Sequence, residues 1–486
     1  MNIQEWPFKT RPYHYQYNII ENSWSLPEFA LHLEMGLGKT RIAIDSLALA
    51  YTQHKITHAL IIAPAGVYQN WVYEFDKHCP EHVPVDMYTW RRLNTKRERG
   101  AFHDFIFSED EALKVFTLNV EALSTVNGYK AAEVFLKRVP GPAAMVVDES
   151  TAIKSHKAKR TKAAVKLGKL CVYRRVLSGL PAPNSPMDLY SPFQFLSGNG
   201  PHLLGIDNYY AFQARYCVER LMNQGSQRSF KTIVGYRRLE ELQGKVDEHA
   251  ARLKKEDCID LPAKSYMSRE CELTGEQRNL YESLKKSFLT EYNGEKISDS
   301  IMLTKLLRFQ QVLTGHVTLD GGKVEAVPNH RIDVLMDVLR ELPGKIVIWS
   351  NFRYCINEME AAIAREYGAD TVATFFGDTP SSKRMEIVEN FQNTDHDLRF
   401  LVANPSTAGY GLTLTASSTA IYYSRDFRLD NRMQSEDRLH RIGQDHKVLY
   451  IDIVTPNTID DKIVQALRSK MDLSARVLGE KAPEWL

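Results

Sequence analysis

The sequence contains few cysteines and no long hydrophobic run. Its six cysteines include no CxxC pair, and no histidine cluster has the spacing of a zinc site. A disulfide framework or a zinc centre is therefore not expected. No stretch approaches the roughly 18 apolar residues of a membrane span, and the first residues lack the apolar region of a signal peptide. These absences predict a cytoplasmic protein without a targeting signal or a membrane partner.

A strong surplus of charge is also missing. The net charge is only +2 over 486 residues, which excludes a basic tail that coats nucleic acid. Any basic surface must instead be a local groove between balanced charges. The chain is longer than one hydrophobic core usually supports, and this favours two domains.

Short apolar runs rich in β-branched residues alternate with amphipathic helical stretches in both halves of the chain. This alternation is typical of parallel sheets with crossover helices. The predicted strands are 59–65, 115–119, 144–150 and 174–179 in the first half, and 345–350, 371–376, 399–404, 419–424 and 448–454 in the second.

Helical patterns dominate between the two halves, from about residue 197 to residue 327. We therefore predict a first lobe over 1–250 with a helical insertion from about 197, and a linker over 251–265. The second lobe is expected over 266–486, with a helical insertion that extends to about 330. Within that insertion, Val317–Val327 predicts a small hairpin that turns at Asp320-Gly321-Gly322.

A phosphate-binding loop is indicated by EMGLGKT, which leads into a helical stretch. Gly36 and Gly38 let backbone N–H groups curl around phosphates, and the helix N-terminus adds its dipole. Lys39 is expected to reach the β- and γ-phosphates of ATP, and the Thr40 hydroxyl to bind Mg²⁺. Leu33 stands where the strict motif has glycine, so a chance glycine-rich loop is the alternative interpretation.

Two acidic residues, Asp148 and Glu149, follow the apolar run MVV downstream of this loop. Asp148 is placed to hold Mg²⁺ through water, and Glu149 to orient the attacking water. Such a pair at a strand end is otherwise a common solvated cap. The P-loop upstream and the intervening strands favour the catalytic interpretation.

The order of these motifs resembles the SWI/SNF-type branch of superfamily two helicases, over nearly the whole chain. The resemblance implies that Gln16, in RPYHYQ, reads adenine. It implies that Pro64, Asn70 and Trp71, in APAGVYQNWVYEF, contact DNA. DESTAIKS is similar to the family's DEAHRIKN, although Thr151 stands where the family usually has histidine.

The segment LSGLPAPN resembles the family's LTGTPIQN, which couples the phosphate site to the DNA groove. The resemblance assigns this coupling role to Ser178. Leu180, Ala182 and Pro183 depart from the family's pattern.

The string QSEDRLHRIGQ, residues 434–444, resembles the family's QAEDRxHRIGQ at almost every position. Arg438 and Arg441 are three residues apart, which predicts that both project from one face of a helix. Guanidinium groups suit a γ-phosphate whose charge spreads during transfer, so both arginines are assigned to catalysis. Gln434 is implied as a second coupling residue.

The segment TAGYGLTLTA, residues 407–416, resembles the preceding motif of the family. It implies that Gly409 and Gly411 help to close the nucleotide site and that Thr413 contacts DNA. Ser350 and Asn351, in WSNFRYCINEME, occupy the positions of a strand-tracking segment.

The resemblance implies two RecA-like α/β lobes with helical insertions, which use ATP and Mg²⁺. The compact form is similar to bacteriophage and bacterial versions, which implies a bacterial or phage-infected cell. The implied function is an ATP-dependent double-stranded DNA translocase. It would remodel forked or branched DNA in replication, recombination or repair, by branch migration or fork reversal. Protein partners are not predicted.

Three alternatives remain open at this point. The first is a strand-separating helicase, the second a P-loop kinase or metabolic ATPase, and the third a silent DNA-binding scaffold. Intact Lys39, Glu149 and Arg438 argue against a silent scaffold. Strand-separating members of superfamily two often insert a β-hairpin wedge between the last two motifs. The short stretch from Ala416 to Gln434 leaves no room for one, which favours translocation.

Overall fold

The computed structural model of the chain describes residues 3–222, 230–292, 299–319, 321–408 and 412–478. The chain forms two units. One holds the residues up to Ile259 together with a short segment that starts at Met471, and the other holds Asp260–Lys470. The second lobe predicted over 266–486 therefore includes a C-terminal segment that the structure groups with the first unit.

The first unit is built on a parallel sheet with helices on both faces. Its strands are β1 (Glu28–Leu33), β2 (His58–Ala63), β3 (Val85–Thr89), β4 (Leu113–Asn119), β5 (Ala143–Val147), β6 (Tyr173–Leu177), β7 (Cys217–Met222), β8 (Phe230–Tyr236) and β9 (Ala250–Leu253). Its helices are α1 (His14–Ser23), α2 (Lys39–Thr52), α3 (Asn70–His78), α4 (Lys96–Phe107), α5 (Val126–Arg138), α6 (Lys159–Gly168), α7 (Tyr190–Ser197), α8 (Tyr209–Tyr216) and α9 (Leu239–Asp247).

The order of strands in this sheet is β3-β4-β2-β5-β6-β1-β9, and every pairing in it is parallel. All residues of β2 and β5 are buried, as expected for strands that are covered on both faces. In β2, Leu60 and Ile62 pack into one core, and Ala59, Ile61 and Ala63 pack into the other. Because the strands are parallel, the loops that follow them meet at one edge of the sheet.

The second unit has the same design. Its strands are β10 (Lys264–Glu270), β11 (His316–Thr318), β12 (Val324–Ala326), β13 (Lys345–Trp349), β14 (Val372–Phe375), β15 (Phe400–Ala403), β16 (Ser417–Tyr422) and β17 (Val448–Val454). Its helices are α10 (Gly275–Tyr292), α11 (Asp299–Leu313), α12 (Arg331–Glu341), α13 (Arg353–Tyr367), α14 (Ser381–Gln392), α15 (Pro405–Ala408) and α16 (Leu429–Glu436), and α17 (Ile459–Val477) starts in this unit.

The sheet of the second unit has the order β10-β17-β16-β13-β15-β14, again with parallel pairings only. Ile346 and Ile348 of β13 pack into one core, and Val347 and Trp349 pack into the other. Both units therefore have the α/β fold class that the sequence predicted.

The region between the halves contains strands that its mainly helical pattern did not predict. It contains α8 to α11, but β7 and β8 form an antiparallel hairpin in the first unit. Strand β9 pairs with β1 at the edge of the first sheet, and β10 pairs with β17 at the edge of the second. These edge strands were missed because their residues are only partly buried and lack a continuous apolar run.

The small hairpin predicted over Val317–Val327 is present as the antiparallel pair β11 and β12. Asp320 of its turn lies outside the described residues. All six cysteines are free. Among the helices that the structure describes, none is long and apolar enough to cross a lipid bilayer.

Candidate functional site

The P-loop of the first unit connects β1 to α2. Gly36 and Gly38 have φ angles of 85° and 79°, backbone conformations that favour glycine. Lys39 begins α2 and is buried, and its Nζ donates to the carbonyl oxygens of Leu33 at 2.8 Å and Glu34 at 3.4 Å. The lysine amine is therefore held inside the curl of the loop, where this motif binds phosphate oxygens.

Gln16 lies directly against this loop. Its Nε2 donates to the carbonyl of Leu37 at 3.1 Å, and its Oε1 accepts from the backbone N–H of Tyr13 at 3.1 Å. A Cβ atom on Gly38 would lie 2.3 Å from Gln16 Nε2, so any other residue here would displace the Gln16 amide as well as strain the backbone. The structure thus places Gln16 at the nucleotide loop, and its role in reading adenine stays a prediction.

The segment that carries Gln16 is fastened to α2 by an arginine that the sequence analysis did not single out. The Arg41 guanidinium donates to the carbonyl of Thr10, and to that of Arg11 at 3.0 Å. It also pairs with Asp45 at 3.3 Å. Because Arg41 follows the P-loop directly, it fixes the N-terminal segment to the same helix that presents Lys39.

Asp148 follows β5 at the carboxyl edge of the sheet, and both of its carboxylate oxygens accept hydrogen bonds. Oδ2 accepts from the indole Nε1 of Trp71 at 3.1 Å, and Oδ1 accepts from the backbone N–H of Glu149 at 2.9 Å. Burial raises the pKa of Asp148, against the opposing effects of Lys39 and the Trp71 hydrogen bond. The aspartate and the P-loop lysine are both buried, and the charge of the lysine favours the ionised aspartate.

Glu149 has a strained backbone. Its φ and ψ are 48° and 62°, the left-handed conformation that a residue other than glycine rarely adopts. Such strain persists at functional sites because the surrounding structure enforces it. Glu149 is partly exposed while Asp148 is buried, which is compatible with separate roles for the two acids. These roles stay predictions.

The predicted coupling segment also lies beside the P-loop. The backbone N–H of Ser178 donates to the carbonyl of Leu31 at 3.1 Å, and its side chain is fully buried. A Cβ atom on Gly179 would lie 2.8 Å from Met35 Cγ and 3.5 Å from Lys39 Nζ. Glycine at this position therefore lets the segment approach the P-loop lysine, a feature that the sequence reasoning missed.

The first unit has the donors that a Mg²⁺-bound nucleotide needs. Magnesium prefers oxygen ligands and usually takes only one or two of them from the protein. The Asp148 carboxylate and the Thr40 hydroxyl are oxygen donors of this kind, and the loop around Lys39 supplies N–H groups and a cation for phosphates. The residues present therefore fit ATP and Mg²⁺.

In the second unit, Arg438 and Arg441 meet at one backbone oxygen. The Nη1 atoms of both donate to the carbonyl of Leu412, at 3.1 and 3.2 Å. The prediction that both lie on one helix was wrong, because α16 ends at Glu436 and residues 437–443 form turns and bends. The turns bring the two side chains to the same carbonyl oxygen, although the residues do not share a helical face.

Gln444 closes this motif. Its Nε2 donates to the carbonyl oxygens of Leu439 at 3.1 Å, Thr415 at 3.2 Å and Ser417 at 2.9 Å. The N–H of Leu414 also donates to the carbonyl of Arg438 at 2.9 Å. These bonds join the arginine motif to the preceding motif, and the sequence analysis assigned Gln444 no role.

A buried ionic network joins α16 to the sheet of the second unit. Arg432 donates to Glu436 at 2.7 Å and to both oxygens of Asp452 on β17, at 2.7 and 3.1 Å, and Arg425 donates to Asp452 at 2.9 Å. Burial opposes ionisation of Asp452, but Arg432 and Arg425 hold its pKa below the ordinary value. Glu436 also accepts from Tyr266 of β10 at 2.9 Å. The network ties the arginine motif to two strands of the sheet.

The residues predicted to contact DNA differ in accessibility. Trp71 is fully buried and bonded to Asp148, so the expectation that its side chain contacts DNA does not fit the structure. The side chains of Pro64 and Ser350 are buried as well, and Ser350 Oγ lies 3.1 Å from Ser424 Oγ. The side chains of these three residues therefore pack inside the protein.

Three of the predicted DNA contacts are open to solvent to some degree. Asn70 is exposed at the start of α3, and Asn351 and Thr413 are partly exposed. Gln434, predicted to couple the sites, is buried in α16. Gly409 and Gly411 lie outside the described residues. The roles of these residues stay predictions.

Comparison with known families agrees with this geometry. The SNF2-related domain matches residues 30–318, and the helicase conserved C-terminal domain matches residues 330–443. The structure is similar to the Sulfolobus solfataricus SWI2/SNF2 ATPase core in complex with dsDNA. That alignment has 24% identity and a TM-score of 0.42, and covers 96% of this chain and 94% of the other.

Curated relatives are similar over most of this chain. An uncharacterized ATP-dependent helicase of Mycoplasma genitalium is 25% identical over 454 residues, which cover 92% of this chain and 40% of the relative. A Caenorhabditis elegans homolog of the SWI/SNF-related regulator of chromatin subfamily A-like protein 1 is 27% identical, covering 91% of this chain and 58% of the relative. This chain thus spans about two fifths to three fifths of their length. It belongs to the SNF2-related family, the SWI/SNF-type branch of superfamily two helicases.

Proposed function

We propose that the chain is an ATP-dependent translocase on double-stranded DNA that hydrolyses ATP with Mg²⁺. The observation that carries this is the joint burial of Lys39 and Asp148 at the carboxyl edge of the first sheet, with Gly179 against the lysine. This arrangement links a phosphate-binding cation, a carboxylate for Mg²⁺ and the predicted coupling segment. Family membership argues against the alternative of a P-loop kinase or a metabolic ATPase.

Each residue of this site has a defined task in the proposed reaction. Lys39 and the loop N–H groups bind the β- and γ-phosphates, Thr40 and Asp148 hold the Mg²⁺, and Glu149 orients the attacking water. The metal would neutralise charge on the phosphates. Arg438 and Arg441 supply the guanidinium groups for the charge of the transferred phosphoryl group.

The substrate of the translocase is proposed to be forked or branched duplex DNA, remodelled by branch migration or fork reversal in replication, recombination or repair. The complex with dsDNA was formed by the Sulfolobus core, and we propose that this chain also binds duplex DNA. Affinity should come mainly from phosphates and be blind to sequence, because no module that reads base edges is evident. A bacterial or phage-infected cytoplasm is the proposed setting.

Strand separation is the second candidate. Residues 417–436, all of them described, form β16, a short connection and α16, with no hairpin among them. This favours translocation without a wedge at that place. The hairpin of β7 and β8 in the first unit is the feature that keeps strand separation as a candidate, because a protruding hairpin is the usual wedge.

ATP turnover with different DNA structures tests the proposal. Rates should rise with duplex, forked or four-way DNA more than with single strands of the same length. On the same preparation, the protein should displace the third strand of a triplex and unwind a tailed duplex poorly. Equal turnover with and without DNA contradicts the translocase, and robust unwinding without triplex displacement establishes the helicase instead.

A further inference from the structure

The first unit contains a stretch of positive charge that no acidic residue within the stretch offsets. Residues 151–187 contain nine lysines and arginines and no acidic residue, although the whole chain has a net charge of only +2. Arg174 and Arg175 of this stretch are buried in β6. Most of the others lie on or next to α6, which is not part of the nucleotide site.

Four lysines form a row along the exposed side of α6. Lys159, Lys162, Lys166 and Lys169 are separated by three, four and three residues, which places them on one helical face. All four are exposed, whereas the buried residues of the helix, which include Ala164, lie on the opposite side. At a rise of about 1.5 Å per residue, the row is about 15 Å long.

The repulsion among these lysines destabilises α6. Like charges three or four residues apart destabilise a helix, and cations at its N-terminus oppose the helix dipole. The first turn of α6 has no acidic residue, and its N-cap residue Ala158 makes no side-chain cap. Within the described part of the chain, Lys162 and Lys169 take part in no ion pair. Glu133, which is bonded to Lys137 at 2.9 Å, is the carboxylate beside Lys166.

An open cavity with an aromatic side adjoins the lysine row. It has a volume of about 350 Å³, and its lining includes Lys162, Lys166, Lys169, His156, Tyr190 and Tyr209. The rings of His156 and Tyr209 are stacked, with centroids 3.5 Å apart. The next residue, Tyr210, is 65% exposed and lies edge-on to His156.

From this juxtaposition we infer that the lysine row and the adjoining aromatic cavity form a binding site for single-stranded nucleic acid. Lysines bind the phosphates of a single strand, and exposed aromatic rings stack on its bases. At the per-strand spacing of a stacked double helix, about 3.4 Å, the row spans about four nucleotides, and it spans fewer of an extended strand. A duplex keeps its bases stacked inside and offers the aromatic cavity no free base, so we do not expect duplex DNA to occupy this site. This site is additional to the proposed duplex translocation.

The test compares two double variants of the full chain. Lys162→Gln/Lys169→Gln removes two charges from the row. The matched control, Lys55→Gln/Lys77→Gln, removes two exposed lysines next to β2 and at the end of α3, away from the row. The probes are a labelled oligothymidine strand and a duplex of equal length, each titrated at several salt concentrations.

The row variant should bind the single strand about 10-fold more weakly near physiological salt. Its plot of log K against log salt should flatten by about 1.4, because each phosphate contact on a single strand contributes about 0.7. Duplex binding and duplex-stimulated ATP turnover should stay as in the unmodified protein, and the control should match it on both probes. Tyr210→Ser should weaken single-strand binding and leave the salt slope unchanged.

An equal loss on both probes, or a loss on the duplex alone, would assign the row to duplex DNA and overturn the inference. Unchanged binding to both probes by the row variant would also overturn it, and an acidic protein partner would then be the occupant to test. Full single-strand affinity in Tyr210→Ser would refute base stacking. If duplex DNA fails to stimulate ATP turnover in the unmodified protein, the proposed translocase fails while the binding comparison stands.

Discussion

The hydrogen bond from Trp71 to Asp148 is the contact whose removal tests the nucleotide site most directly. The indole ring is fully buried, and its Nε1 donates to Asp148 Oδ2 at 3.1 Å. Each carboxylate oxygen can accept two hydrogen bonds or ligands, so Asp148 can bind Trp71 and still hold the metal through water. Trp71→Phe keeps an aromatic ring in the core and removes the donor. We expect Asp148 to lose its fixed orientation in this variant.

The size of the effect follows from the charge of the acceptor. A hydrogen bond to an ionised group contributes about 1.5–3 kcal/mol, and loss of a partner that orients a metal ligand typically costs about 10- to 100-fold in metal affinity. The Mg²⁺ concentration for half-maximal ATP turnover should therefore rise about 10- to 100-fold in Trp71→Phe. At saturating Mg²⁺ most of the turnover should return, because excess metal restores occupancy.

Trp349→Phe is the matched control. Trp349 is a second fully buried tryptophan, in β13, and its Nε1 has no hydrogen-bond partner among the described residues. Both variants lose similar volume, so the packing part of their loss of stability to urea should be similar, and Trp71→Phe should lose about 1.5–3 kcal/mol more with the hydrogen bond. A readout independent of turnover is the increase in Tm that Mg²⁺ causes in the presence of ADP. Its midpoint should shift to higher Mg²⁺ in Trp71→Phe alone.

The reasoning is refuted if the two variants depend on Mg²⁺ in the same way. Trp71 would then act only through packing, and the orientation of Asp148 would rest on the N–H of Glu149, which donates to Oδ1 at 2.9 Å. A loss of turnover in Trp71→Phe that saturating Mg²⁺ does not restore would also contradict an effect through the metal.

Three further predictions follow from the same geometry. Glu149→Gln should bind ATP and lose at least about 100-fold in turnover, whereas Lys39→Ala should weaken nucleotide binding itself, as filter binding and steady-state rates can show. Arg438→Ala and Arg441→Ala should each abolish DNA-stimulated hydrolysis and keep most ATP affinity, and unchanged stimulation in both would remove these arginines from the reaction. Burial raises the pKa of Asp45 from 3.8 to about 7, against Arg41, so the free energy of unfolding should fall as the pH rises between these values. Asp45→Asn should flatten this dependence in urea titrations.

The sequence predicted β2, β4, β5 and β6 of the first sheet and β13 to β17 of the second, and it missed β1, β3, β9 and β10. Residues of β5 and β13 form unbroken apolar runs because both faces of these strands are covered. Strands β9 and β10 lie at sheet edges with partly exposed residues, so no periodic pattern marks them. The arginine motif was assigned to one helix from its spacing, but spacing alone does not show where a helix ends.

Residues of the candidate site could be named from the sequence where they belong to a short local motif. Contacts between residues that are distant in sequence could not be predicted. Lys39 and Asp148 each belong to a short motif that can be identified from neighbouring residues alone. Trp71 is paired with Asp148 across 77 positions of sequence, and Arg432 with Asp452 on another element. Such pairs are set by tertiary packing and are not visible in a local motif. For this reason Trp71 was predicted to contact DNA.

The position of the basic surface also could not be predicted from composition. A net charge of +2 led to the expectation of a local basic groove, and composition alone gave it no position. Acidic residues elsewhere balance the total, while residues 151–187 contain none. The fold turns this stretch into an exposed face of α6, because Thr161, Ala164 and Leu167 must face the core and the lysines between them cannot. The amphipathic period of the helix, rather than the overall charge, therefore decides where a polyanion can bind.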